Sequence, residues 1–281
     1  MTKIVVLPNE KLCPEGAVVE ARPGESICRA LLRNHIEAGL TRDAGKLAVS
    51  LGGRYESWNF RDVDAIDGSL LDQDFRDISR TGPFMRLAYR PSPGYAWVGE
   101  AKGIWQTSRG DGIVDHNGRG YELRAGVEME MSPLVKFALM GGVHSMDFDH
   151  AGFDRITKAV WEARAQWLVL PVLTLEAKTK RSVEPTSSPD ASARVNTSFI
   201  AGAQYEAWRN LILTAEAEYR IDEFHQSTRE DDTWFARLGA EYYNTKNWLF
   251  TFNYEYRQRE SVTLREPVTQ NKVMFGVKYR Y

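Results

Sequence analysis

Two stretches of the chain carry residue types that bind metals or move protons. Asp62-Val-Asp64-Ala-Ile-Asp67-Gly68 places three carboxylates ahead of a glycine, much as a calcium loop does. Its spacing slips by one, and Gln73 stands at the twelfth position, where a bidentate Glu belongs. Asp72, Asp74 and Asp77 follow, so a solvated acidic loop is the plain alternative. His144, Asp147, Asp149 and His150 form a second set that could ligate a divalent ion at the rim of a fold. His144-Ser145 offers a base beside a nucleophile, but neighbours on an extended strand face opposite ways. No catalytic set, resident metal or cofactor is expected, and the chain is not expected to be an enzyme.

A much larger set of charges is distributed at even spacing. Arg54, Arg86, Glu100, Lys102, Arg124, Glu128, Arg164, Glu176, Lys178, Arg194, Glu216, Arg220, Arg237, Glu241, Glu255 and Arg257 all alternate with apolar or aromatic neighbours. Side chains of both signs, long enough to meet across a narrow interior, could form a closing network of ion pairs. They could equally line a polar path for a small solute or a glycan.

The elements that must position these charges are strands. Residues 271–281 show the pattern at its clearest: Val273, Phe275, Val277, Tyr279 and Tyr281 fall on one face, and Lys272, Met274, Gly276, Lys278 and Arg280 on the other. A period of two is the signature of an extended chain between unlike media. The same alternation recurs about a dozen times from Lys46 onward. Leu211, Leu213, Ala215, Ala217 and Tyr219 oppose Glu216, Glu218 and Arg220; Trp248, Phe250, Phe252, Tyr254 and Tyr256 oppose Asn253, Glu255 and Arg257. Short turns at 92–94, 132–133, 170–171, 208–210 and 245–247 alternate with long polar loops near 61–82, 108–118, 147–152, 184–190, 225–232 and 260–270. Transmembrane barrels sort their connections this way, with short turns at one interface and loops at the other.

Aromatic residues collect near the ends of the apolar faces: Trp97, Trp167, Trp248 and Tyr281 by the short turns, and Trp105, Trp161, Trp234 and Tyr256 nearer the loops. Amphipathic rings prefer the headgroup level of a bilayer. Eight residues from Trp248 to Tyr256 cover about 27 Å along a strand, roughly 20 Å after a tilt of about 40°, near the ~25 Å apolar band of such barrels. The expected fold is therefore all-β, an antiparallel transmembrane β-barrel of about twelve strands. The competing architecture is a water-soluble sandwich or barrel.

Composition agrees. No apolar run approaches the roughly 18 residues of a membrane helix, whereas alternating strands hide their lipid face from any averaging window. A net charge of −2 gives no basic footprint for nucleic acid. Two cysteines, Cys13 and Cys28, cannot by themselves build a disulfide scaffold or a zinc site. Residues 1–8 hold one positive charge and an apolar run of about four, short of a secretory signal. An outer-membrane protein needs such a signal, so a mature, truncated or rebuilt front is expected.

Residues 3–7 and 17–21 read as short strands and residues 26–38 as a helix, with Leu31, Leu32 and Ile36 on one face. The string from Lys3 to Ala21, with Gly24-Glu-Ser-Ile27 and Ala30-Leu-Leu-Arg-Asn34, resembles the opening of the iron–sulfur-assembly type [2Fe–2S] ferredoxins. In that family four ligand cysteines follow the helix; no cysteine follows Cys28 here, and two thiols cannot supply four ligands. A soluble redox protein is thus disfavoured, and residues 1–40 are expected to be a truncated ββα segment ahead of a barrel over 41–281.

From Lys46 the chain resembles the β-barrel porin family of Gram-negative envelopes, through its acidic first loop, the segment Gly82-Pro-Phe-Met-Arg-Leu-Ala-Tyr-Arg-Pro-Ser-Pro93 and its aromatic last strand. The resemblance implies an outer-membrane channel or structural envelope protein, and links to polysaccharide export among some members. The last strand also resembles the signal read by the outer-membrane assembly machinery, with Tyr281 where Phe is usual. Membrane lipid and that machinery are the expected partners. Outer-membrane phospholipases also have twelve strands, but their His-x-Ser-Asn pattern is absent, which disfavours a hydrolase.

Overall fold

The computed structural model describes residues 2–6, 17–21, 38–60, 62–64, 70–71, 76–108, 115–244, 247–262 and 267–279. The expectations for Cys13, Cys28, Asp67, Asp72, Asp74, Tyr281 and the helix over 26–37 lie outside the described residues. Ala38, expected to end that helix, instead opens a strand.

The strands run in order β1 (Thr2–Val6), β2 (Ala17–Ala21), β3 (Ala38–Ala44), β4 (Leu47–Trp58), β5 (Val63–Asp64), β6 (Leu70–Leu71), β7 (Ile78–Ser92), β8 (Tyr95–Ser108) and β9 (Gly118–Ser132). Then come β10 (Val135–Phe148), β11 (Ile156–Leu170), β12 (Leu173–Glu184), β13 (Arg194–Trp208), β14 (Leu211–Phe224), β15 (Glu230–Tyr243), β16 (Trp248–Ser261) and β17 (Val268–Tyr279). β1 pairs with β2, and β5 with β6 inside the first long connection. The other thirteen form one antiparallel sheet in which each strand lies beside its neighbour in sequence.

Among the described residues the sheet counts thirteen strands where alternation suggests about twelve, because β3 joins it. Its sequence Ala-Gly-Leu-Thr-Arg-Asp-Ala carries no clean period of two, yet it pairs residue for residue with β4, from Ala38 opposite Gly53 to Ala44 opposite Leu47. β3 straddles the boundary expected near residue 40. Short connections at 45–46, 93–94, 133–134, 171–172, 209–210 and 244–247 alternate with long ones at 59–77, 109–117, 149–155, 185–193, 225–229 and 262–267. Gly45 and Gly94 supply the positive φ, 65° and 78°, that the tight turns at the first two of these require.

The sheet curls, and one side-chain contact fixes which face is concave. Arg80 Nη1 donates to the backbone carbonyl of Val183 at 3.1 Å. β7 and β12 are five ladder steps apart, about 24 Å across a flat sheet, which no arginine spans. The face carrying Arg80 is therefore the concave one. Glycines make that curvature possible. A Cβ on Gly142 would lie 1.9 Å from the carbonyl oxygen of Leu123, and one on Gly126 1.9 Å from that of Leu139, so the inner face bends too sharply there for a side chain.

The convex face is apolar and open. Phe275 is 81% exposed, and Val277, Val273, Leu238 and Leu51 are each more than half exposed. Left in water, so continuous an apolar belt would be an aggregation surface. In hydrocarbon each fully covered side chain contributes about 1.5–3 kcal/mol. Rings mark its borders. Trp248 meets Tyr279 in a tilted contact at 4.8 Å by the short turns, and Tyr219 meets Trp234 at 4.5 Å toward the loops. Trp97, Trp105 and Trp167 are exposed. Trp161 is half-buried, with its Nε1 donating to Thr179 Oγ1 and Arg181 over its ring, and half-buried Tyr256 donates its hydroxyl to Gln258.

Val195 departs from the simple alternation. Its parity puts it with the lipid-facing Phe199, yet it is 2% exposed and packs with Val183, Met146, Ile156 and Val160. The β11–β12 ladder stops at the pair Trp161–Arg181, so above that level the β12–β13 hairpin leaves the wall and leans over the mouth.

Candidate functional site

The concave face carries a connected net of ion pairs held by strand register. Glu100 lies opposite Arg124 on β9 and opposite Arg86 on β7. Arg124 Nη2 and Arg86 Nη1 each reach it at 2.5 Å. Arg86 also pairs with Glu128 at 2.5 Å, and Arg124 with Glu162 at 3.4 Å, each bridging to the next strand but one. Lys102 pairs with Glu122 at 3.2 Å, and Arg164 and Lys178 both turn to Glu162. Charges taken from water in this way need partners on every side, and the shared carboxylates supply them.

The second half of the sheet holds a looser group on the same face. Arg237 sits 2.9 Å from Glu255 and 3.9 Å from Glu216. Arg220 and Arg194 converge on Asp222, and Arg194 also pairs with Glu184. Glu241 accepts from the Tyr243 hydroxyl, and Glu176 from Gln166. Arg257 lies over the Phe235 ring at 5.7 Å, and Arg54 pairs with Glu56 at 2.6 Å.

The metal-type residues are not brought together. His144 is 1% exposed, with Nδ1 3.3 Å from Glu122 Oε2. His150 lies beyond the end of β10, where Nδ1 accepts from the Gly152 amide and its ring meets Phe153. Asp147 is clamped by Arg155 at 2.5 Å, and Asp149 is exposed. Asp62 is exposed, and Asp64 is described only as part of β5. Among the described residues no group of three or more such donors forms. Ser145 Oγ pairs with Thr157 Oγ1 at 3.0 Å, away from His144.

The loop end is packed, which strand alternation alone does not foretell. Residues 185–193 turn inward, with Ala191, Ser192 and Ala193 fully buried. His116 Nε2 lies 3.1 Å from the carbonyls of both Ser188 and Ala191. Arg76 Nε donates to Ser187 Oγ at 3.1 Å. On the other side the amide of Ser192 donates to the His225 carbonyl, and the His225 amide to that of Ala193. Asp190 accepts from the Ser188 and Ser227 hydroxyls, which hold its carboxyl below the ordinary range. Burial, reinforced by Lys158, lowers the His225 imidazole. Below this cap lies a cavity of about 780 Å³, lined by residues of β3, β4 and β7–β12. Arg80 and His116 belong to this arrangement and were not among the charges picked from sequence, since their partners are distant in the chain.

A family model described as Putative beta-barrel porin 2 matches residues 30–281. Among solved structures, the outer membrane channel DcaP of Acinetobacter baumannii superposes with a TM-score of 0.55 at 14% identity, covering 87% of this chain and 84% of that one. That likeness is one of fold. Among curated proteins, the 2Fe-2S ferredoxins of Escherichia coli (strain K12) and Pseudomonas aeruginosa are each 62% identical over 37 residues, 13% of this chain. The match spans 33% of the length of those ferredoxins.

Proposed function

The chain belongs to the putative beta-barrel porin 2 family, an outer-membrane β-barrel of the channel type, and we propose that it passes small polar solutes through a charged, constricted lumen. The observation that carries this reading is the contrast between the two faces of one sheet. Arg86, Glu100, Arg124 and Glu162 share the concave face with a cavity, while Leu51, Leu238 and Phe275 stand exposed on the convex one. Charges of both signs keep water in the path and repel hydrocarbon, so the solute is hydrophilic. The residues picked from sequence as lumen-lining act here as the wall of that path. Aromatic rings on the convex face anchor the wall at both interfaces, and the last strand is what the outer-membrane assembly machinery would read.

The packed loop end favours small solutes over an extended polysaccharide. A glycan chain needs a continuous opening, and residues 185–193 fill the mouth at the level of His116. Conductance of the purified chain in a planar lipid bilayer tests the reading. Discrete, salt-dependent current steps are the expected result. A folded, heat-modifiable barrel that carries no current would make the ion-pair net a structural plug and overturn the channel.

A further inference from the structure

The cavity beneath the loop cap is unbalanced in charge. Its wall holds nine Arg and Lys side chains against five Glu. Each of those carboxylates is already taken: Glu56 by Arg54, Glu100 by Arg86 and Arg124, Glu122 by Lys102, Glu162 by Arg124, and Glu184 by Arg194. Two of the cations have no such partner. Among the described residues neither Arg80 nor Lys180 forms an ion pair, although both line the cavity.

Arg80 is fixed as a donor in waiting. Its Nε donates to Gln106 Oε1 at 2.7 Å and its Nη1 to the Val183 carbonyl at 3.1 Å. The Trp58 ring lies 6.0 Å from its guanidinium carbon. Its Nη2 is buried with no acceptor, as is Nε2 of His144, a side chain 1% exposed on the same wall. A guanidinium and an ammonium that line a cavity without a paired carboxylate match an oxyanion in charge and in donor geometry. A volume near 780 Å³ is in the range of small-molecule pockets.

We infer that the cavity is an anion-selecting site, which takes a small solute bearing a carboxylate or phosphate group beside the Arg80 and Lys180 side chains that line it. The inference rests on the channel reading and narrows it. The internally neutralised net of Arg86, Glu100, Arg124 and Glu162 holds the wall, while Arg80 and Lys180 supply the attraction.

The test uses the full chain in planar bilayers under a KCl gradient, with inorganic phosphate as the oxyanion probe and choline as the cationic control. The reversal potential is expected to show chloride preferred over potassium, with phosphate and not choline interrupting the current. Arg80→Gln weakens phosphate binding about tenfold or more, the worth of one charge-assisted hydrogen bond. Lys180→Gln lowers the anion preference without touching the Gln106 and Val183 contacts, so it serves if Arg80→Gln fails to give a heat-modifiable barrel. Arg80→Lys restores the charge and part of the preference. Steady current without anion preference, or a preference that survives both substitutions, overturns the inference and leaves the channel standing. A silent barrel that still binds phosphate in a calorimeter, with loss in Lys180→Gln, overturns the channel and leaves the anion site.

Discussion

His116 Nε2 lies 3.1 Å from the carbonyl oxygen of Ala191, joining the β8–β9 connection to the β12–β13 connection across the mouth. Carbonyl oxygens only accept, so the imidazole proton sits on Nε2, shared with the Ser188 carbonyl at the same distance. The main chain of His116 is itself held, its carbonyl accepting from Gln106 Nε2 at 2.7 Å. The ring thus joins the Arg76, His225 and Ser227 contacts that hold residues 185–193 at the mouth.

Replacing that ring should loosen the cap. His116→Ala leaves the Ser188 and Ala191 carbonyls without this donor, a cost of about 1–3 kcal/mol to the closed arrangement. Faster hydrogen–deuterium exchange over residues 185–193 and a larger unitary conductance are the expected outcomes. Unchanged exchange and conductance would show that the cap is held elsewhere.

Acid should loosen it as well, in two steps. His225 has a folded-state pKa below its unfolded one, because burial disfavours its charged form. Its contribution to stability is therefore full above about pH 6.5 and is lost as pH falls from there toward the folded value. The Asp190 carboxyl is also lowered, by the Ser188 and Ser227 hydroxyls, so its contribution is full above about pH 4 and disappears as pH falls through its folded pKa. Exchange over residues 185–193 should rise in both windows. His225→Ala should remove the upper step, and Asp190→Asn the lower one.

The lipid face gives a depth-dependent penalty. Phe275 packs its ring 5.1 Å from Phe252 and is 81% exposed on the convex side. Phe275→Arg should cost about 2–4 kcal/mol of folding free energy in vesicles if it meets the bilayer middle. Met274→Arg, one residue away on the opposite face, should cost less than about 1 kcal/mol. Urea titration of both variants in lipid vesicles distinguishes a membrane barrel from a soluble one, where the order would reverse.

Curvature can be tested at two adjacent glycines of β10. A Cβ at Gly142 meets the Leu123 carbonyl oxygen at 1.9 Å and the Arg124 Cα at 2.7 Å, whereas one at Gly141 meets nothing within 4 Å. Gly142→Ala should destabilise by about 3 kcal/mol or more, or prevent assembly, since backbone and not a flexible side chain must move. Gly141→Ala should assemble normally. Heat-modifiable mobility on gels reads both.

Much of this architecture is written in the chain at short range. A period of two needs only neighbouring residues, so Leu213 against Glu216 or Phe252 against Glu255 declares a strand with an oily and a charged side wherever the strand ends up. Turn length is equally local, and the short and long connections alternate as read. The weakly patterned β3 escaped that reading because pairing with β4, not its own sequence, makes it a strand. Arg80 resembles any other lumen-side arginine until the curled sheet brings it to Val183, and Val195 looks lipid-facing until the hairpin leans away from the wall. Pairing between strands five ladder steps apart depends on the radius of the curve and on where glycines let it tighten, neither of which a local pattern encodes. Sequence therefore determined the two-faced wall and its connections. Tertiary structure decided which two cations, Arg80 and Lys180, were left without an ion-paired carboxylate among the described residues, and which loop packed above them.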